Sequence, residues 1–208
     1  MKILVNGVRL LFLGVFLWLM VTEKMVVWLG IFSVSLILAL LAGRVFCGWI
    51  CPMNTVMIPM EWLSKKLHLQ RLKEPEWLKS PSIPWIMLVG SIMTMIILKR
   101  AGIDAPILLY MLLLSMIITL FYKSEVFHNR ICPFGLLQGF AGKHAQWTHR
   151  VSENDCIGCK RCETVCPSRA VAVSSITRKA MIDPMLCHQC MNCQEVCPKD
   201  AIAYKSKR

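Results

Sequence analysis

The chain has 208 residues, 56% of them hydrophobic, and a mean hydropathy of +0.54; this is apolar for a soluble domain and points to a membrane protein. Its formal charge of +12 counts eleven cysteines as neutral; thiolates among them lower the balance, and the remaining positive bias still favours an anionic inner membrane face. No basic face with interleaved aromatic residues stands apart from the apolar pattern, which argues against a nucleic-acid partner, and the absence of any G-x-G-x-x-G or P-loop pattern argues against NAD, flavin-dinucleotide or ATP binding.

In chain order, four apolar segments stand out, at about 3–21, 25–42, 84–98 and 105–122. Each is near the roughly 20 residues that cross a bilayer as a helix. The first is too long for a signal-peptide core and is followed by no A-x-A-like cleavage site; within it Arg9 either snorkels to the headgroups or faces the bundle. The third is short and takes residues 80–83 as its cap and first turn, where Pro81 and Pro84 suit a helix start. Lys and Arg set the orientation. The 22–24 turn carries Lys24 and the 99–105 turn carries Lys99 and Arg100, whereas the 43–83 loop carries Arg44, Lys65, Lys66, Arg71, Lys73 and Lys79, and the tail carries thirteen. The N-terminus, the long loop and the tail are therefore expected inside a multi-pass inner-membrane protein, with membrane lipids as partners. Within the loop, MEWLSKKLHLQRL (60–72) reads either as a helix lying on the membrane surface or as a solvated linker helix.

Two stretches at the ends of apolar pairs resemble each other. RVFCGWICP (44–52) and EVFHNRICP (125–133) match at five of nine positions, and Cys47 aligns with His128 and Cys51 with Cys132 at the same offset of 81 residues. The membrane part thus reads as two copies of a helix–turn–helix–motif unit, with both motifs at the inner face. If each motif is helical, its i and i+4 side chains share a face, and Cys47, Cys51, Cys132 and His128 form a complete ligand set for a third iron–sulfur cluster or another metal. Imidazole in place of thiolate removes negative charge and, by analogy with Rieske centres, raises the reduction potential. The plainer reading is a packing cysteine and a helix-ending proline. A Cys47–Cys51 disulfide is disfavoured in a reducing compartment. Arg44, Trp49, Asn54, Glu125, Asn129, Arg130 and Gln138 are quinone-site candidates by position, and Arg44 and Glu125 are a candidate ion pair.

Near the C-terminus CIGCKRCETVCP (156–167) and CHQCMNCQEVCP (187–198) both fit C-x2-C-x2-C-x3-C-P, 31 residues apart. Three closely spaced thiolates wrap one cluster and the fourth, before proline, ligates the other. Cluster 1 then takes Cys156, Cys159, Cys162 and Cys197; cluster 2 takes Cys187, Cys190, Cys193 and Cys166. Zinc sites favour paired C-x2-C units instead. His188 reads as a surface histidine rather than a ligand. His144 and His149 read as part of a basic interfacial linker or as the lining of a quinone mouth. No histidine lies within the four apolar segments, which disfavours a bis-histidine haem, and the fourteen methionines read as packing filler.

These motifs carry a resemblance. Residues from about 150 look like a bacterial two-cluster ferredoxin domain, and the whole chain resembles the membrane polyferredoxins of the NapH, NosR and MauN group, with the NapH-like arrangement the closer. Where that family usually has two C-x3-C-P motifs, this chain has His128 in the second. The resemblance implies an all-α four-helix transmembrane bundle with two pseudo-repeats (1–140), a linker (141–150) and a small α+β domain holding two 4Fe–4S clusters (151–208). It also implies membrane electron transfer, commonly quinol oxidation, as a subunit working with other redox subunits. Two rival readings are a membrane-anchored relay without a quinone site, and a ferredoxin-type copper-handling or assembly factor.

Overall fold

The computed structural model describes residues 2–70, 72, 74–102 and 106–207. Arg71 and Lys73 of the basic loop, Ala105 at the start of the fourth apolar segment, and Arg208 lie outside the described residues. The fold comprises two compact units, Met1–Trp28 with Ile50–Leu136, and Leu29–Trp49 with Leu137–Arg208.

The first unit is helical. It holds α1 (Lys2–Val21), α3 (Pro52–Lys66), α4 (Ile83–Arg100), α5 (Ile107–Phe121) and the short α6 (Ser124–Val126). A helix α2 (Met25–Ala42) begins in this unit and continues into the second. Among the described residues three helices are long and apolar enough to cross a membrane, Ile3–Val21, Met25–Ala42 and Ile83–Arg100. The fourth apolar segment differs from expectation. Its helix α5 has 15 residues, a length of about 22 Å against the roughly 30 Å of a hydrocarbon core.

The stretch read as a surface or linker helix over 60–72 also differs. The helix there is α3, which starts at Pro52 and ends at Lys66. Proline at the first helical position needs no backbone N–H, so it nucleates the helix directly after the cysteine motif. Met53, Asn54, Thr55, Met57 and Ser64 are buried on α3, which packs against α1 and α5. Polar side chains tie α3 and the residues after it to α5 and α6. Ser64 Oγ donates to Leu120 O at 2.5 Å, Gln70 Nε2 donates to Tyr122 O at 2.8 Å and Ser124 Oγ donates to Glu61 Oε2 at 3.0 Å. On α5 the buried Ser115 and Thr119 return their hydroxyls to Leu112 O and Ser115 O, a way for small polar residues to sit in an apolar helix interface. Trp62 on α3 stays exposed, as do Leu10 and Leu11 on α1 and Ile86, Val89 and Ile92 on α4. Arg9 is buried and its Nη1 donates to Asn6 Oδ1 at 3.3 Å, so it faces the interior.

The second unit joins most of α2, the end of α7 (Pro133–Gly142) and a small α+β fold. Strand β1 (Trp147–Val151) pairs antiparallel with β4 (Ile202–Ser206), and β2 (Val171–Val173) pairs with β3 (Ala180–Ile182). Short helices α8 (Arg161–Thr164) and α9 (Asn192–Glu195) each carry a middle cysteine of one motif. The core between the sheets is Cys162, Val171, Ala180, Cys193 and Ile202, so the middle cysteine of each motif is a core residue. The stretch read as a linker, 141–150, contains the end of α7 and most of β1. Gln138 is fully buried and its Nε2 donates to Ser35 Oγ at 2.7 Å, tying α7 to α2.

Ser64→Leu overfills a fully buried position on the α3–α5 seam, which costs about 1–3 kcal/mol. The thermal midpoint of detergent-solubilised protein is expected to fall in Ser64→Leu and to stay near wild type in Trp62→Ser.

Candidate iron–sulfur sites

The 31-residue repeat of the sequence is also a repeat of the backbone. Gly158 and Gln189, Lys160 and Met191, and Arg169 and Asp200 are equivalent pairs, and all six have positive φ. Gly158 is required twice over. Its φ is +68°, and a Cβ there would stand 2.2 Å from Arg178 O.

This backbone gathers the cysteines in two sets. Cys156, Cys159, Cys162 and Cys197 line one pocket, walled by Ile157, Val173, Ala180 and Ile202. In the other set, the Cys187 and Cys193 thiols both feel the charges of Cys190 and Cys166. Burial dominates both thiols: it pushes Cys187 up to about 12 and Cys193 up as well. Burial likewise raises Cys162, helped by the neighbouring Cys159 and Cys156. Buried thiols held protonated this firmly become thiolates only when a metal displaces the protons.

Backbone amides point at the sulfurs: Ala170 N donates to Cys166 Sγ at 3.2 Å, Ala201 N to Cys197 Sγ at 3.3 Å and Ala180 N to Cys156 Sγ at 3.4 Å. Such donors stabilise the negative charge of a cluster-bound sulfur. Among the described residues no three or more His, Cys, Asp or Glu side chains gather closely enough for a single metal ion. Two sets of four thiols with N–H donors fit two 4Fe–4S clusters.

The second cysteine motif is clamped by the segment that follows α2. Arg44 is 2% exposed, and its Nη1 donates to Met185 O at 2.9 Å while Nη2 lies 3.8 Å from Cys47 Sγ. Trp49 Nε1 donates to Gln189 O at 2.9 Å. Between them a Cβ on Gly48 would fall 2.0 Å from His188 O, so only glycine allows this approach. Tyr204 on β4 donates its hydroxyl to Ala42 O at 3.0 Å, a further tie to the end of α2.

Two sequence readings change here. His188 is 1% exposed, not a surface residue. His149 is buried in β1, where its backbone N–H donates to Gln189 Oε1 at 3.1 Å and its Nδ1 meets the same oxygen at 2.7 Å. That oxygen only accepts, so Nδ1 carries the proton, and burial holds the imidazole below its usual pKa. His144 stays exposed. No sequence signal marked Gln189, which reads as an ordinary residue between two cysteines.

The two membrane motifs fold alike. Phe46–Ile50 and Phe127–Ile131 are π-helices, and Cys132 N closes the second on Phe127 O at 2.8 Å. Single-turn π-helices often mark functional sites. Cys51 (φ −63°, ψ 120°) and Cys132 (φ −71°, ψ 111°) are extended, because a following proline disfavours the α region. The expectation of an i, i+4 helical face is therefore corrected: each motif is a π-turn followed by an extended cysteine. Cys47, Cys51, His128 and Cys132 are all buried. Of the quinone-site candidates, Asn54 is buried, and Glu125, Asn129 and Arg130 are half-buried.

A family model described as a 4Fe-4S binding domain matches residues 25–70 and 104–151, and one described as a 4Fe-4S dicluster domain matches residues 155–201. Similar curated proteins include an uncharacterized protein of Methanocaldococcus jannaschii, 30% identical over 74% of this chain and 61% of its own length. The methylamine utilization ferredoxin-type protein MauN of Paracoccus denitrificans is 26% identical over 71% of this chain and 56% of its own length. The ferredoxin-type protein NapH of Haemophilus influenzae is 28% identical over 73% and 57%. The chain belongs to the NapH/MauN-like polyferredoxins. It spans less than two thirds of the length of these relatives. No solved structure matches it. This polyferredoxin thus combines 4Fe–4S binding domains of ferredoxin type with three helices long and apolar enough to cross a membrane among the described residues.

In this polyferredoxin Gly48→Ala pushes the α2 segment off the second cysteine motif, at a cost of about 1–3 kcal/mol. It is expected to lower both the thermal midpoint and the iron content of the purified protein. Gly90→Ala, where a Cβ meets nothing within 4 Å, is expected to change neither.

Proposed function

We propose that this polyferredoxin is a membrane electron-transfer subunit, passing electrons between the quinone pool and a partner redox protein. The observation that carries the reading is the clamp described above: α2, apolar and long enough to span, runs directly into a segment bonded to the second cysteine motif through Arg44 and Trp49. A membrane helix and a cluster-binding loop held together in one compact unit suit electron traffic between membrane and cytoplasm. Cys156, Cys159, Cys162 and Cys197 hold one cluster and Cys187, Cys190, Cys193 and Cys166 the other; when bound, the clusters supply one-electron transfer. The N-terminus and the cluster domain face the cytoplasm, in keeping with the excess of Lys and Arg on that side.

From the paired sequence motifs we infer a third centre, with Cys47, Cys51, Cys132 and His128 as its candidate ligands. In support, all four are buried, the two motifs share one conformation, and one 4Fe-4S family model matches both membrane segments. The relay reading, without a quinone site, also has an observation in its favour. Two quinone-site candidates, Arg44 and Trp49, already spend donors on Met185 O and Gln189 O.

Iron and acid-labile sulfide per chain test the third centre. Two ferredoxin clusters account for about eight iron atoms. Anaerobically purified protein is expected to hold about eleven or twelve, and Cys51→Ser to fall to about eight. Equal counts in both would remove the third centre. Cluster reduction by added quinol, blocked by a quinone-site inhibitor, separates the quinone reading from the plain relay.

A further inference from the structure

The two cluster sites are copies, so a difference between them stands out against a built-in control. On the reading that each site holds a 4Fe–4S cluster, we propose that Gln189 is a positioning residue that lowers the reduction potential of the second cluster. It does so by taking for itself the backbone N–H that the first site gives to sulfur.

Within the repeat, Cys156 corresponds to Cys187, Cys166 to Cys197, Gly158 to Gln189, Ala170 to Ala201 and His149 to Ala180, each 31 residues apart. One amide–sulfur bond is present in both copies, as Ala170 N to Cys166 Sγ at 3.2 Å and Ala201 N to Cys197 Sγ at 3.3 Å. The other is not. At the first site Ala180 N donates to Cys156 Sγ at 3.4 Å. At the second, the equivalent amide of His149 donates to Gln189 Oε1 at 3.1 Å. The cause is one side chain. The first site has Gly158 at this left-handed position. The second has Gln189, also left-handed at φ 54°, whose amide oxygen reaches back to the His149 N–H and, at 2.7 Å, to the ring Nδ1–H.

An N–H directed at a cluster-bound sulfur stabilises the more negative, reduced state and raises the potential; withholding it lowers the potential. Nearby cations act in the same direction, since Lys160, Arg161 and Lys199 line the first site's pocket and positive charge favours the more negative, reduced state. Lys179 Nζ donates to Cys156 O at 2.6 Å at the first, and Arg44 acts on Cys187 at the second. Burial acts in the same direction as Gln189, because Cys187 is buried and Cys156 is half-buried, and a dry site disfavours added negative charge. The second site, the one clamped to the segment after α2, is thereby the lower in potential of the two.

The test is an EPR-monitored redox titration of anaerobically purified full-length protein, wild type beside Gln189→Gly and Gln189→Ala, with the second cluster's signal assigned through Cys190→Ser. Gln189→Gly copies the first site; Gln189→Ala removes the acceptor and keeps a Cβ. The expected result is an upward shift of the second midpoint in both variants, no shift of the first, and unchanged iron. Proton ENDOR after deuterium exchange is expected to show one more exchangeable proton coupled to the reduced second cluster. A second midpoint that stays or falls while iron is retained would overturn the proposal. So would loss of iron from Gln189→Ala, since Gln189 would then be a support for the fold rather than a tuning residue. Wild-type protein with fewer than about eight iron atoms would overturn the two-cluster reading itself, and that is measured before any variant.

Discussion

The approach of Gly48 to the His188 carbonyl is the constraint on which the second unit depends. A side chain at that point would displace the segment, and with it the Arg44–Met185 and Trp49–Gln189 hydrogen bonds on either side. A loop that binds a cluster cannot be held by apolar packing alone, since its backbone groups need partners. Here the partners come from the end of a membrane helix. Arg44 and Trp49 therefore have a structural role, fastening the segment after α2 to the second cysteine motif.

Burial sets the chemistry of the cysteines. Cys162 and Cys193 sit in the core beside Val171, Ala180 and Ile202, in a domain whose sheets have two strands each. So small a core supplies little stability without a staple, and a bound metal group is one of the few staples available. Desolvation that raises the Cys187 and Cys193 thiols is the same effect seen from the apo side. The fold withholds charge from these sulfurs until iron arrives, so cluster binding and folding are linked.

Much of this was legible in the sequence because its signals are repeats. The 31-residue spacing gave the two cysteine sets, and the 81-residue spacing gave two motifs that fold alike. Apolar runs placed α1, α2 and α4. What escaped had no periodic signature. The helix over Pro52–Lys66 was hidden by its mixed polarity, though Pro52 marked its start. The π-turns at Phe46–Ile50 and Phe127–Ile131 depend on a hydrogen-bond register that residue types do not reveal. The burial of His149 and His188 came from pairing with β4 and with the segment after α2, contacts far away in the chain.

Divergence within a repeat carries information that the repeat itself does not. Both cluster sites inherit the same left-handed backbone positions and the same amide–sulfur bond before the closing strand, and these are what any such site requires. The exchange of Gly158 for Gln189 is different in kind. It keeps the backbone, at the cost of a non-glycine residue with positive φ, and uses the side chain to redirect one donor. A residue held in an unfavoured conformation, buried, and bonded to both the backbone and the ring of His149 is not filler. Its backbone carbonyl also receives the Trp49 indole, so the residue that redirects the donor also fastens the cluster loop to the end of the membrane helix.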